Sequence, residues 1–343
     1  MPIIGLDLGR HNFRAVEIEK EKGKNILVRY GYYENPKINI DSNVKEETHQ
    51  YSAAIKQFIV DTGFTTSQAI VALPEGLVFM RVIKTPIMNE KDLRNSIQFE
   101  AEQYIPLPLK EVNLSYQQLD VDLVEKGKMN VQLVASKKTT LTKYVDLLKG
   151  AKLVPRALEP ETLAIARVLG DAEDRPSASL ILNIGYSSTL IIITYKGFVR
   201  FTRTVSLGGE ALTRAIQQEL SLDYTQAEEY KKAYGLDNNQ VDGKIYNVLK
   251  PMFDNIILEI KKSRIFFTTQ NPSVNINRVI LSGGTALMPG LLFYMANNLD
   301  LEVELANPWK NIQLSPKLAP QRDLLIEQGP LFSTCVGLAL KEV

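Results

Sequence analysis

The chain has 343 residues, 45% of them hydrophobic and 23% charged, enough for one large core or two smaller ones. Its 40 Lys and Arg balance 39 Asp and Glu, and the resulting net charge of +1 gives no electrostatic case for nucleic acid. The single cysteine, Cys335, excludes an intramolecular disulfide, two histidines leave too few ligands for a transition-metal site, and no stretch has the length and apolarity of a membrane span. The N-terminus opens directly on a strand-like run without a basic region ahead of an apolar one. A cytoplasmic protein with no direct membrane insertion is therefore expected.

Ile3–Leu8, Phe13–Glu19 and Ile26–Tyr33 read as three strands, the last two joined by a turn at Glu21-Lys22-Gly23-Lys24. Side chains alternate along a strand, so Arg14 shares a face with Val16 and Ile18 and is the cation nearest the Asp7–Gly9 turn. Tyr51–Thr62 has helical periodicity with Gly63 as its stop, and Gln68–Leu73 is an apolar strand ended by Pro74. Asn89 starts a helix with Leu93, Ile97, Ala101 and Tyr104 on one face, ended by Pro106 and Pro108. A hairpin follows, Val112–Leu123 and Met129–Ala135, turning at Glu125-Lys126-Gly127-Lys128. A helix at Thr140–Lys149, with Leu141, Val145 and Leu148 on one face, takes Gly150 as its C-terminal cap. With strand Val154–Leu158, residues 85 to 160 read as a small α+β insertion with its own sheet.

Asp171 to Ala178 is the most linker-like stretch. Beyond it, two strands flank Asn183-Ile184-Gly185, and a turn at Tyr195-Lys196-Gly197 leads to a third, Phe198–Ser206. Gly208-Gly209-Glu210 starts a helix through Leu220, and Thr225 to Glu228 reads as the capping box of a helix ended by Gly235. A long helical stretch runs to about Thr269 with Pro251 inside it, at a kink or a first turn. Arg278–Leu281 is a buried strand, Gly283-Gly284 a tight turn, and Leu291–Leu299 and Phe332–Lys341 are helices.

The most informative pattern is a repeat. Asp7-Leu8-Gly9 and Asn183-Ile184-Gly185 stand roughly half the chain apart, each between two apolar strands. Two similar halves facing each other would bring both turns to one mouth, with backbone N–H groups aimed at a polyphosphate. Asp7 at a strand end can hold a hydrated Mg²⁺, and the glycines allow close approach to phosphate. Arg10, His11 and Asn12 complete the first turn, and Ser187 and Ser188 the second. His11 is taken as an exposed turn residue without a catalytic part. Arg14 can pair a phosphate oxygen, and the helix start at Gly208-Gly209-Glu210 favours anions. Glu228 and Lys231 lie on a charged helix within reach of a ribose or base, or form only a solvated face. Gly283-Gly284-Thr285 offers flat backbone for an adenine. No Ser/His/Asp arrangement and no paired-carboxylate site stand out.

Together these segments resemble the actin-like, Hsp70-like nucleotide-binding superfamily, and most of all the PilM family of type IV pilus assembly proteins, relatives of FtsA. Asp7-Leu8-Gly9 is similar to the first phosphate motif, Asn183-Ile184-Gly185 to the second, and Leu281-Ser282-Gly283-Gly284-Thr285 to the adenosine motif. Glu228 and Lys231 match the helix that touches the nucleoside, and Phe99 to Pro106 carries family-like wording. The resemblance implies an α/β, actin-like (ribonuclease H-like, duplicated) two-lobed fold. Its expected parts are a first lobe over 1–84, the inserted subdomain over 85–160, a connecting helix and linker over 161–178, a second lobe over 179–330, and a C-terminal helix over 331–343 returning to the first lobe. It further implies ATP with Mg²⁺ between the lobes, and a place at the inner membrane through a partner. That partner is the N-terminal cytoplasmic tail of a PilN-like bitopic protein, gripped beside the inserted subdomain. The assembly motor and a second copy are further candidate partners.

Two departures bear on activity. Arg14 stands where the family usually has Lys, and Asn183 where it usually has Asp. An amide neither accepts a proton nor supplies charge, so ATP binding with weak or absent hydrolysis is expected. A kinase of the same superfamily needs a base that this cleft does not reveal. An FtsA-like division protein commonly ends in an amphipathic membrane-targeting helix, whereas this sequence ends at Leu340-Lys341-Glu342-Val343, just after its final core helix.

Overall fold

The computed structural model describes residues 2–34, 40, 44–119, 127–170 and 177–342. β1 (Ile3–Leu8), β2 (Asn12–Glu21) and β3 (Lys24–Glu34) form an antiparallel meander. Lys22 and Gly23, at φ 49° and 78°, make the mirror-image turn that suits a two-residue hairpin. α1 (Lys45–Thr62) starts six residues before the expected Tyr51 and stops where Gly63, at φ 72°, returns its N–H to the Ile59 and Val60 carbonyls. β4 (Gln68–Leu73) joins β1 in parallel.

β5 (Val78–Pro86) has no counterpart in the sequence expectation. It pairs with β7 (Lys128–Lys137), which also pairs with β6 (Val112–Leu119), and α2 (Glu90–Glu102) covers this three-stranded sheet. Asn89 caps α2 as expected, its side chain accepting from the Asp92 N–H. The far end of the expected first strand and half of the turn fall at 120–126, outside the described residues.

α3 (Lys138–Gly150) and β8 (Val154–Pro160) correct the expected inserted unit. β8 pairs in parallel with β4, and Tyr144, Leu147 and Leu148 of α3 share a core with Tyr51 and Phe58 of α1. The separate sheet therefore spans β5 to β7. Gly150 is not a cap: it ends α3 itself, and Lys152, at φ 65°, takes the left-handed place. Gly150 is needed instead because an added Cβ would lie 2.8 Å from Ser52 Oγ, where α3 crosses α1.

α4 (Glu161–Leu169) leads toward the expected linker, most of which (171–176) lies outside the described residues. β9 (Ala178–Ile184), β10 (Thr189–Tyr195) and β11 (Phe198–Val205) repeat the opening meander. α5 (Gly209–Leu220), α6 (Tyr224–Tyr234) and α7 (Lys244–Gln270) follow, with Pro251 inside α7. The capping box of α6 is Asp223 with Gln226, two residues before the expected one, which leaves Glu228 free to turn inward. β12 (Ile276–Ser282) is parallel to β9, and α8 (Leu291–Leu299) precedes β13 (Glu302–Leu305), parallel to β12.

β13, β14 (Ile312–Leu314) and α9 (Arg322–Glu327) were not expected. β14 joins β3, so the chain is already back on the first sheet within the span assigned to the second lobe. α10 (Gly329–Ala339) begins three residues before the expected Phe332 and packs on the first sheet.

The two large sheets run β14-β3-β2-β1-β4-β8 and β11-β10-β9-β12-β13. Five strands thus share one order and one pattern of directions: two antiparallel pairs, then two parallel ones. α4 lies between the halves. Its Ala164 packs with Ile70 and Leu338, and its Ile165 and Leu169 with Ile181 and Ile192. Both halves thus bury apolar surface against one helix, which aligns their hairpin turns at one cleft.

Candidate functional site

The first turn is set by strand register. Asp7 and Arg14 are opposite one another on β1 and β2, which brings the Arg14 guanidinium to 3.4 Å from the Asp7 carboxylate. Burial pushes the Asp7 carboxyl up, and Arg14 partly opposes this. Gly9 is required by the turn, because a Cβ there would lie 2.7 Å from the Asn12 carbonyl. Asn12 is buried with its amide oxygen unpaired.

The second turn repeats this geometry. Gly185 donates its N–H to the Ser188 carbonyl at 2.9 Å, and a Cβ there would lie 3.2 Å from the same oxygen. Behind it, Gly283 holds φ 85°, and a Cβ would sit 2.5 Å from the Ile184 carbonyl and 2.9 Å from Asn183 Oδ1. Only glycine lets β12 turn this tightly against β9. Gly284 faces Arg14, whose Nη2 would lie 3.7 Å from an added Cβ. A first-lobe cation therefore reaches the Gly-Gly turn of the second lobe.

These turns enclose a cleft of about 950 Å³. Asp7, Gly9, Arg10, His11, Asn12 and Arg14 line one side. Asn183, Gly185, Ser187, Ser188 and Gly209 line the other, with Glu228, Lys231, Gly283, Gly284 and Thr285 completing it. Gly208 and Glu210 are not among the lining residues. Gly208 lets α5 dock on the second turn, since a Cβ would lie 2.5 Å from the Tyr186 carbonyl. Glu210 pairs with Arg214 at the surface. The expected anion site at this helix start is already occupied by the chain: the Gly209 and Glu210 N–H groups donate to the Gly185 and Tyr186 carbonyls, both at 2.9 Å.

Lys231 is likewise committed. Its ammonium donates to the Gly209 carbonyl at 3.0 Å, Thr213 Oγ1 at 2.8 Å and Glu228 Oε2 at 2.6 Å, which uses all three protons. Its part is to tie α6 to α5. Burial disfavours the Glu228 carboxylate, but Lys231 and Thr213 outweigh it and hold the group below the usual range.

Two cleft features and one neighbouring acid escaped sequence reasoning. Glu161, the first residue of α4, lines the cleft and accepts the Glu75 N–H at 3.1 Å. Burial, helped by the nearby Asp7 charge, pushes its carboxyl up to about 7. Glu75 is itself pushed up by burial, and its carboxylate accepts from the Thr162 hydroxyl. Tyr186, in the second turn, stacks on His11, so His11 is not a merely exposed turn residue. Burial pushes the His11 imidazole below its ordinary value. A proline followed by an acid at a helix start was the only local signal for Glu161.

A sequence profile described as type IV pilus assembly protein PilM matches residues 5–343. The chain belongs to the PilM family. This PilM-family chain is also similar to a solved PilM–PilN type IV pilus biogenesis complex, at 27% identity and a TM-score of 0.85, covering 98% of this chain and 97% of that one. With FtsA from Bacillus subtilis it is 21% identical over 351 residues, 89% of this chain and 78% of that protein. In fold it is similar to EutJ from Carboxydothermus hydrogenoformans (17% identity, TM-score 0.59, covering 98% and 88%). It is similar also to MreB5 of Spiroplasma citri bound to AMPPNP (14% identity, TM-score 0.53, covering 98% and 94%). The fold is the two-lobed, actin-like one, and the family is that of type IV pilus assembly. No helix among the described residues is long and apolar enough to cross a membrane.

Proposed function

We propose that this PilM-family protein is an ATP-binding scaffold of type IV pilus assembly that holds the N-terminal tail of a PilN-like membrane protein and turns ATP over slowly. The observation that carries the reading is the pair of matching turns, Asp7–Gly9 and Asn183–Gly185, facing one cleft with Arg14 and the Gly283-Gly284 turn. The first turn suits phosphates, and Arg14 suits their charge. The backbone at Gly283-Gly284 suits an adenine.

Mg²⁺ carried by the nucleotide fits the same floor. Asp7 and Glu161 are two acids disfavoured by burial, Glu161 further by the Asp7 charge, and a dication would relieve both. Asn183 adds only a neutral amide oxygen. Mg²⁺ keeps several waters and takes phosphate oxygens, so one or two carboxylates suffice. Bound there, it would screen the phosphate charge. Glu161 also supplies a proton acceptor that the sequence reading lacked. Its single carboxyl, without a second acid at 183, supports slow turnover rather than none.

The partner tail belongs beside the sheet of β5, β6 and β7, where Ile87 and Phe99 stand exposed. Through that partner the protein would lie on the cytoplasmic face of the inner membrane.

The test is calorimetric titration with ATP and Mg²⁺, with Asp7→Ala as control, followed by a turnover assay. Saturable binding that the variant loses, and slow turnover that Asn183→Asp raises, are the expected results. Binding by neither protein would refute the nucleotide reading and leave a nucleotide-free adaptor.

A further inference from the structure

We propose that His11 and Tyr186 form an aromatic clasp across the mouth of the cleft and that this clasp sets the rate at which bound nucleotide leaves. The inference rests on the nucleotide reading of the cleft. His11 belongs to the β1–β2 turn and Tyr186 to the β9–β10 turn, so the contact joins the two lobes. Their rings lie 4.9 Å apart, centre to centre, and within 8° of parallel. Turn tips ordinarily carry small or polar residues, so two facing rings at this point are not explained by turn chemistry. Both rings line the same cleft as Asp7, Arg14 and Asn183.

The two partners are anchored differently. The Tyr186 carbonyl accepts the Glu210 N–H at 2.9 Å, and its hydroxyl lies 3.2 Å from that of Tyr224, the first residue of α6. The second-lobe half is therefore held at both ends of the residue. His11 rides on the first hairpin, between β1 and β2. Separating the lobes must break the stack, and a polyphosphate between the turns cannot leave until they separate. The ring pair thus adds a barrier to opening without touching the phosphate-binding residues at the floor.

The test is stopped-flow release of a fluorescent ATP analogue, chased with excess ATP, from the full-length protein and its variants. His11→Ala and Tyr186→Ala should each speed release about two- to tenfold, the range expected for one lost aromatic pair. The double variant should be no faster than either single one, and Tyr186→Phe should keep slow release. Unchanged rates, or single effects that multiply in the double variant, would overturn the clasp. A second readout needs no nucleotide. The chain has only two histidines, so ¹³C-histidine labelling isolates the His11 ring, whose signals should be shifted upfield and should lose that shift in Tyr186→Ala. Absence of the shift overturns the clasp while leaving nucleotide binding intact. Failure to bind any nucleotide despite the shift overturns the gating role together with the proposed function.

Discussion

At the scale of single residues, the chemistry of the cleft turns on which charged groups are already committed. Lys231 is spent inside α5 and α6, whereas Arg14 faces one carboxylate, the Tyr32 ring and the Gly-Gly turn. Glu161 is the group whose protonation is poised. Its carboxyl titrates near 7 in the folded protein and near 4.5 when unfolded. Between those values the unfolded chain gives up a proton that the folded one keeps, so stability falls as pH rises from about 4.5 to 7. Glu161→Gln removes that term. Urea unfolding at pH 5 and pH 8 should show the variant gaining on the parent, on the order of 1–3 kcal/mol, across that interval. The same variant should lose whatever ATP turnover the parent has. A pH-independent difference, or undiminished turnover, would remove Glu161 from its assigned place. The Asp7–Arg14 pair was legible in the sequence because strand alternation and a short hairpin put the two residues opposite each other. Glu161 was not, because its partners Asp7 and Glu75 lie on segments far from it in the chain.

At the scale of elements, the sequence located most strands and helices, and its errors have identifiable causes. β4 and the N-terminus of α2 are bounded by strong local signals, Pro74 and Asn89. β5 was missed because neither of its faces is plainly polar. Ile83 faces α2, while Met80 packs toward Val199 and the α4 cluster. That double contact blurs the period-two pattern. The α6 cap was misplaced because Thr225 and Glu228 satisfy the same sequence rule as Asp223 and Gln226. The structure separates the two, and so does mutation. Asp223→Ala should cost about 1 kcal/mol in urea unfolding, and Thr225→Ala no more than about 0.5. Equal costs would mean that the box is not where the hydrogen bonds place it. Gly150 teaches the same lesson from the other side. A glycine at a helix end need not be a cap when a neighbouring helix leaves no room for a Cβ there.

At the scale of the whole molecule, α4 and α10 join the lobes, and their crossing tolerates no side chain. A Cβ on Gly337 would lie 1.9 Å from the Ala164 carbonyl, and one on Gly5 equally close to that of Cys335. Gly337→Val should therefore destabilise the protein by about 3 kcal/mol or more in urea unfolding, because the clash is with backbone that cannot rotate away. An unaltered midpoint would show that the two helices slide apart freely. Glu159 reinforces the junction: it accepts from Arg167 and Lys341, linking the end of β8 and the last turn of α4 to the residues after α10. The sequence by itself determined the duplication, the two turns and the Gly-Gly segment, because each depends on local backbone geometry and on alternation that short runs of residues impose. Only the tertiary structure decided that β8 and β14 belong to the first sheet and that the α5 N-terminus is already bonded. It alone also put Glu161 on the cleft and His11 against Tyr186. Those outcomes depend on which surfaces meet across long stretches of chain, and a local pattern carries no record of its distant partner.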